Sequence, residues 1–193
     1  MFKHRVARNR TIYFAFLFGL LALFGYLITN FHWELYQLLL IALIFLIPGR
    51  LVQFFWRDFF AGRKHLDQKE SDPAIEHFEK FLNYVHQFPW IQWLVFFSYG
   101  LYSFKVEAMT LTYLAQCYAH KSDWNRAEDF LNRAMKIDSQ YAMAFYNKAV
   151  VAALKNNLEE ARGILIQAES HGYPKITFEE FLELIHEEYP VSR

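Results

Sequence analysis

The stretch AMTLTYLAQCYAHKSDWNRAEDFLNRAMKIDSQY, residues 108–141, is followed directly by AMAFYNKAVVAALKNNLEEARGILIQAESHGYPK, residues 142–175. The two stretches align without a gap at a period of 34 residues, so one pattern is written twice. A repeated unit of this length predicts pairs of helices that stack side by side and share one core. Alanine recurs where two packed helices have to come close, in the pairs Ala115 and Ala149, Ala127 and Ala161, and Ala134 and Ala168.

The larger apolar positions recur in the same two stretches, as Leu111 with Phe145 and Leu131 with Leu165. The segments HKSD and KNN lie where a turn between two helices belongs. In their length and in their small and large positions, the stretches resemble the tetratricopeptide repeat (TPR), whose unit is a pair of antiparallel helices. The resemblance implies an all-α fold in which TPR-type helix pairs build an α-solenoid.

A third, degenerate copy of the pattern is predicted at residues 55–88. Phe81 stands where the other copies have alanine, so this copy is the looser match. The segment ESDP supplies its turn, and Asp72 is the predicted N-cap of its second helix. The small positions and the large position of this copy are filled by Gly62, Ala74 and Phe78. The stretches 55–88, 108–141 and 142–175 are named copy one, copy two and copy three.

Residues 176–193 are predicted to form a C-terminal cap helix and a short tail. Thr177 and Glu180 have the spacing of a capping box, and the apolar residues that follow recur on one helical face. Helical repeat arrays end in such a helix because its outer side has to be polar. The apolar face consists of Phe178, Phe181, Leu182 and Ile185, and the outer side of Glu179, Glu180, Glu183, Glu187 and Glu188.

The first third of the chain has the pattern of a membrane anchor. Residues 11–29 hold no charge, and eleven of them are Leu, Ile or Phe, enough to cross a bilayer as one helix. A second apolar run begins at Leu35, so residues 11–54 are predicted to form a hairpin of two transmembrane helices. Basic residues precede and follow the hairpin, and its loop has none. The positive-inside rule therefore predicts that residues 1–10, the C-terminus and the repeats are cytoplasmic.

The segment 89–107 is an aromatic insert between copies one and two. No charged side chain occurs from Phe88 to Phe104, so a third membrane span, a buried core helix and a helix lying in the membrane interface all have to be considered. A span would separate copy one from the other copies, and the aromatic content favours the interface over the core. The residues predicted to lie at the interface are Trp33, Trp56, Trp90, Trp93, Phe97 and Tyr102.

The sequence has no pattern that declares a reaction. It has no phosphate-binding glycine loop and no metal-binding spacing among its eight histidines, so neither a cofactor nor a metal is predicted. Cys117 and His120 form the one nucleophile-like pair, and a buried structural cysteine is the simpler reading. An enzyme acting near this pair is kept as an alternative, and the sequence favours a protein without catalytic activity.

The TPR resemblance implies a groove, lined by the first helices of the units, that holds a peptide or a partner helix. The alternative is that the same residues pack against the insert or the cap helix. In copy two the groove positions are Met109, Thr112, Gln116, Ala119 and His120, and in copy three they are Met143, Tyr146, Val150 and Leu154.

These patterns predict a bacterial inner-membrane scaffold that recruits a protein partner at the cytoplasmic face. Its expected partners are a protein and the lipid bilayer, with neither nucleic acid nor a small-molecule substrate. Membrane-anchored TPR proteins of this layout resemble assembly factors for envelope, secretion or cytochrome-maturation systems. The alternative among binding proteins is a structural subunit of a membrane complex that uses the aromatic insert as its contact surface.

Overall fold

A computed structural model of the chain describes residues 49–97 and 105–189, together with isolated positions between residues 18 and 47. All regular structure in these parts of the chain is helical. Residues 49–55 are helical and lead into the first named helix. The elements that follow are α1 (Arg57–Asp67), α2 (Ser71–Gln87), a 3₁₀ helix (Pro89–Phe97), α3 (Val106–His120), α4 (Trp124–Ile137), α5 (Ala142–Leu154), α6 (Leu158–His171) and α7 (Phe178–Glu188).

The helices pack as three successive pairs, α1 with α2, α3 with α4, and α5 with α6. Because each pair is joined by a turn of three residues, its two helices run antiparallel. The pairs continue into one another: α2 packs on α3 and α4 on α5, while the first helices α1, α3 and α5 contact one another in order. The described part of copies one to three is therefore one solenoid-like stack of helix pairs.

The turn inside each pair has the same backbone geometry in all three copies. Lys69, Ser122 and Asn156 each adopt a left-handed conformation, with φ of 60°, 59° and 63°. In each turn the next residue is the N-cap of the second helix, and its amide donates to the carbonyl five residues earlier, as from Asp123 to Tyr118. The repeat that was read from the sequence is thus also a repeat of backbone conformation.

The small positions of the pattern are buried where the two helices of each pair touch. Ala115 and Ala149, in the first helices, are 1 % and 0 % exposed, and Ala127 and Ala161, in the second helices, are both 0 % exposed. In copy one the residue that corresponds to Ala115 and Ala149 is Gly62, where an added Cβ would lie 2.9 Å from the ring of Phe78. Close helix contact therefore requires a small residue at this position, and in copy one it requires glycine.

The core of copy one is built from aromatic rings. Phe59 and Phe78 are fully buried, and Phe59 lies 5.2 Å from Phe81 and 5.6 Å from Tyr113 between ring centroids. Tyr113 belongs to α3 and stacks on Phe78 at 5.5 Å. This aromatic cluster is therefore continuous with copy two.

One prediction about helix boundaries was wrong. Asp72 is not the N-cap of α2, because the helix begins at Ser71 and its N-cap is Glu70. Asp72 lies in the first turn instead, where its carboxylate pairs with the ammonium group of Lys121 from the turn of copy two. The Asp72 carboxylate is stabilised by the positive N-terminal end of α2, and its pair with Lys121 links two neighbouring turns.

The predicted transmembrane hairpin, residues 11–54, lies almost wholly outside the described residues. Among the helices that the structure describes, none combines the length and the apolar character needed to cross a membrane. The stretch from 49 to 54 is the only continuous part of the hairpin that is described, and it is helical.

Candidate functional site

Several residues predicted to line a groove are buried inside the helix stack. Met109 and Thr112 are 1 % exposed and Val150 is 4 % exposed, and Ala119 is also buried. The hydroxyl of Thr112 donates to the carbonyl of Ala108 within its own helix. The expectation that these positions are exposed was wrong, because α3 is covered by helices on both sides along the stack.

Gln116 connects the first helices of copies two and three. Its Nε2 donates to Oδ1 of Asn147 at 3.1 Å, and Asn147 lies in α5. Asn147 is 5 % exposed, and its Nδ2 has no hydrogen-bond partner among the described residues. Gln116 and Met143 are half-buried, so the surface over α3 and α5 is partly polar and partly covered.

The remaining predicted groove residues lie near the C-terminal segment, which consists of residues 173–189. The His120 ring stacks on Tyr189 at 4.4 Å between centroids, and the Tyr146 ring stacks on Tyr173 at 4.1 Å. Tyr146 also meets Phe181 of α7 edge-on at 5.7 Å. Leu154 is half-buried among the apolar residues of this region. At these positions the observed contacts are those of the alternative reading, packing against the cap helix.

The capping box predicted for the C-terminal helix is confirmed. The Thr177 hydroxyl accepts from the backbone N–H of Glu180, and the Glu180 carboxylate accepts from the backbone N–H of Thr177 at 2.7 Å. Phe181 and Ile185 on the predicted apolar face are buried. The predicted outer glutamates are all exposed.

Burial sets the protonation of the groups beneath α7. It lowers the pKa of His120, although the nearby Glu188 carboxylate acts in the opposite direction. It raises the pKa of Tyr146 and of Tyr189. Near neutral pH the imidazole of His120 is therefore neutral and both phenols keep their protons.

Cys117 does not have the properties of a catalytic nucleophile. It is 0 % exposed, and burial raises the pKa of its thiol to about 12. A nucleophilic cysteine requires a thiolate, which needs a lowered pKa and access to solvent. His120 instead makes its contacts with the C-terminal segment. The described residues also contain no group of side chains that could hold a metal ion.

The aromatic insert has one buried side and one exposed side. A 3₁₀ helix has three residues per turn, so residues three apart lie on the same side. Ile91 and Leu94 are buried in the core of copy one, whereas Trp90 and Trp93 are 49 % and 68 % exposed. Residues 89–97 therefore combine two of the readings, because one side packs in the core and the other is available for contact.

The exposed tryptophans belong to a larger surface, named here the aromatic surface. The ring of Phe55 lies 4.9 Å from that of Trp90 and 5.1 Å from that of Phe54, which is 63 % exposed. Tyr84 extends the surface to Phe88, which is also exposed. The aromatic surface consists of Phe54, Phe55, Tyr84, Phe88, Trp90 and Trp93.

Trp56 was predicted to lie at the membrane interface, and this was wrong. Its side chain is 0 % exposed and packs against Phe59 and Phe81. Its indole Nε1 donates to the carbonyl of Ile91 at 3.4 Å, which ties the insert to copy one. A buried indole requires such a partner. Trp33, Tyr102 and the side chain of Phe97 lie outside the described residues.

Sequence reasoning missed two contributors to these surfaces. Tyr189 follows Ile185 by four residues, so the spacing of the α7 stripe already extends to it. Phe54 was assigned to the second predicted span and was not considered together with the insert. Comparison of the chain with models of known protein families, with curated proteins and with solved structures found no match.

Proposed function

We propose that this chain is a membrane-anchored adaptor of the TPR type, which holds a protein partner at the cytoplasmic face of a membrane. The observation that carries the proposal is the aromatic surface, because exposed rings of this size on one side of a protein mark a contact site. Its members Trp90 and Trp93 are large, rigid and amphipathic, as interfacial anchors are.

The position of the aromatic surface supports a lipid contact. Phe54 lies at the end of the apolar run that begins at Leu35, and helix α1 begins three residues later. Arg57, next to this surface in sequence, is largely exposed and brings a positive charge to where headgroups would lie. A bilayer that holds residues 11–54 as two spans would thus meet these rings first. The basic flanks favour the cytoplasmic side, as in a bacterial inner membrane.

The helix stack supports binding of a protein rather than catalysis. The described residues offer a surface over α3 and α5 and no activated nucleophile at Cys117. Stacked helix pairs create extended surfaces that suit peptides and helices. The adaptor would present this surface close to the membrane, where an assembly system would use it to recruit a component.

Quenching of tryptophan fluorescence by brominated lipids tests the membrane contact. The full chain carrying Trp33→Phe, which removes the other tryptophan predicted at the membrane interface, is reconstituted in vesicles, and in this background Trp90→Phe combined with Trp93→Phe is compared with Trp124→Phe. We expect the double variant to lose most of the contact-dependent quenching, and Trp124→Phe, in α4 away from the aromatic surface, to leave it unchanged. Equal quenching in all three proteins would refute lipid contact through this surface.

The second candidate function is a structural subunit that contacts a protein through the same aromatic surface. The exposure of Trp93 favours it as much as it favours lipid contact. Affinity capture from detergent extracts separates the two functions. The adaptor predicts loss of the partner in Gln116→Ala combined with Tyr146→Ala, and the subunit predicts loss in Trp90→Ser combined with Trp93→Ser.

A further inference from the structure

The C-terminal segment crosses all three copies instead of adding a further unit to the end of the stack. Its start packs on α6, where the Arg162 guanidinium lies 4.3 Å from the ring centre of Phe178. Its middle meets Tyr146 of α5 through Phe181, as described above. Its end reaches α3 and the turn of copy one, where Nζ of Lys69 donates to the carbonyl of Glu188 at 3.4 Å. The segment therefore lies across the first-helix side of the stack.

Helix α7 carries its own start signal and is joined to the stack by a short irregular segment. The capping box satisfies its N-terminal amides with its own Thr177 and Glu180. Gly172 ends α6 in a left-handed conformation, and the chain is irregular from 173 to 177. Two amides of this segment donate back to α6, that of Tyr173 to the Ala168 carbonyl at 2.8 Å and that of Ile176 to the Glu169 carboxylate at 3.3 Å. The first turn of α7 itself is capped by its own residues and not by the stack.

Ring contacts and one polar end hold α7 on the stack. Phe181 is fully buried, and Tyr189 lies on His120. At the end of the helix, a Glu188 carboxylate oxygen lies 3.4 Å from Nε2 of His120, and Glu188 itself is largely exposed. The rest of the outer side faces solvent. An amphipathic helix with the same spacing of apolar residues would make the same contacts, whichever chain supplies it.

We propose that the surface beneath α7 is a seat for an amphipathic helix, which α7 occupies in the free chain and which a partner helix takes by displacing α7. The partner has a stripe of apolar residues, including aromatics, at the spacing of 178, 181, 185 and 189, and an acidic residue at the position of Glu188. This inference rests on the proposed adaptor function and gives its partner a chemistry. It also makes α7 a competitor that sets how tightly the partner binds.

A synthetic peptide of residues 172–189 serves as the probe, because the partner is unidentified. The unlabelled peptide is titrated into the full chain in detergent. The chain is labelled with ¹⁵N, so NMR observes the chain and not the peptide. Displacement predicts that the amide signals of α7 move toward those of an unfolded segment while the turn signals of Ser122 and Asn156 stay. If the peptide binds and the α7 signals do not change, it occupies a different site and the proposal is wrong.

Variants that loosen α7 should strengthen peptide binding. While α7 fills the seat, the peptide binds only the fraction of chains in which the seat is open, so its apparent affinity is lowered by that fraction. Loosening α7 raises this fraction and should increase the apparent affinity for the peptide by about 10-fold or more. The variant is Tyr189→Ala, and its matched control is Leu184→Ala, on the exposed side of the same helix. Glu188→Lys is a second variant, which weakens the end contact without changing the core and predicts a smaller gain. If neither variant binds the peptide more tightly than the unchanged chain, the proposal is wrong.

The oligomeric state decides between a partner helix and a second copy. If loosening α7 produced dimers in which each copy fills the seat of the other, the occupant would be a second copy and the proposal would be wrong. Failure here is distinguishable from failure of the adaptor function, since peptide binding in detergent does not require a bilayer. The quenching experiment, in turn, does not involve α7.

Discussion

Copy one and copies two and three have the same turns but different cores. In copies two and three the first and second helices meet through alanine and leucine, as at Ala115 and Leu131. In copy one the corresponding pair is Gly62 and Phe78, so the first helix has a smaller residue and the second helix a larger one than in the other copies. The comparison shows that the helix-pair geometry tolerates different side chains as long as the shared space is filled once.

The difference also has a consequence outside the pair. Phe81 stands where copies two and three have Ala134 and Ala168, and its ring contacts Trp56 and Phe59. Trp56 in turn binds the insert through the carbonyl of Ile91. The aromatic core of copy one thus provides the attachment for residues 89–97 and positions Trp90 and Trp93 on the outside.

The largest expected effect comes from giving copy one the alanine of the other copies. Phe81→Ala should lower the free energy of unfolding by about 3–5 kcal/mol, because it removes a fully buried ring and leaves a cavity. Urea unfolding of the detergent-solubilised chain, followed by circular dichroism, measures it. Phe60→Ala is the control, since that ring is 38 % exposed, and it should cost less than about 1 kcal/mol. Equal losses would show that the aromatic core is not what stabilises copy one.

A double-mutant cycle tests the exchange of volume between the helices of copy one. Gly62→Ala alone should destabilise by about 1–3 kcal/mol, because the new methyl group meets a ring that is held by Phe59 and Tyr113. Phe78→Leu alone leaves a cavity. The double variant has the chemistry of copies two and three, so it should be more stable than the sum of the single changes by about 0.5–3 kcal/mol. Additive losses would contradict the exchange.

The end of the first helix differs between copies two and three, and this difference predicts a pH dependence. His120 of copy two corresponds to Leu154 of copy three. Burial lowers the pKa of His120 below its ordinary value of 6.5, so the displaced state binds the proton more readily than the docked one. The groups around it are Glu188, Lys69, Tyr189 and Cys117.

Docking of α7 should therefore be strongest above about pH 6.5 and should weaken as pH falls below that value. Amide exchange in α7 between pH 7.5 and 5 measures it. His120→Leu, which gives copy two the residue of copy three, should remove this pH dependence. An identical pH profile in the variant would show that His120 is not the titrating group.

Much of the helical pattern could be predicted from the sequence because it depends on local spacing. The Thr177–Glu180 capping box acts within one turn of a helix, and the small residues recur at a fixed interval because every helix pair makes the same contact. The burial of Trp56 could not be predicted in this way, because it depends on a carbonyl 35 positions away in the insert. The N-cap of α2 was missed since Glu70 is held by its turn and makes no side-chain cap bond.

The candidate surfaces were harder to predict than the helices. Spacing assigned buried residues such as Met109 and Val150 to an exposed groove, and it cannot indicate that α7 folds back over His120 and Tyr146. The exposed side of the insert depends on the 3₁₀ period of three, which aligns Trp90 with Trp93; an α-helical period of 3.6 residues would align them less closely. Both surfaces depend on contacts between parts of the chain that are distant in sequence.

The smallest expected effect concerns the turn that all three copies share. Ser122→Gly removes the steric cost of a left-handed serine, which offsets the added freedom of glycine in the unfolded chain, so stability should change by less than about 1 kcal/mol and in the stabilising direction. Ser139→Gly is the control, in an exposed turn where φ is not positive, and it should destabilise by about 0.5–1 kcal/mol. If the two substitutions change the free energy of unfolding with opposite signs, the feature that the copies share lies in the backbone of the turn. That feature would then not depend on whether the neighbouring core is aromatic or aliphatic. Equal signs would mean that the turn conformation contributes no more than any exposed loop.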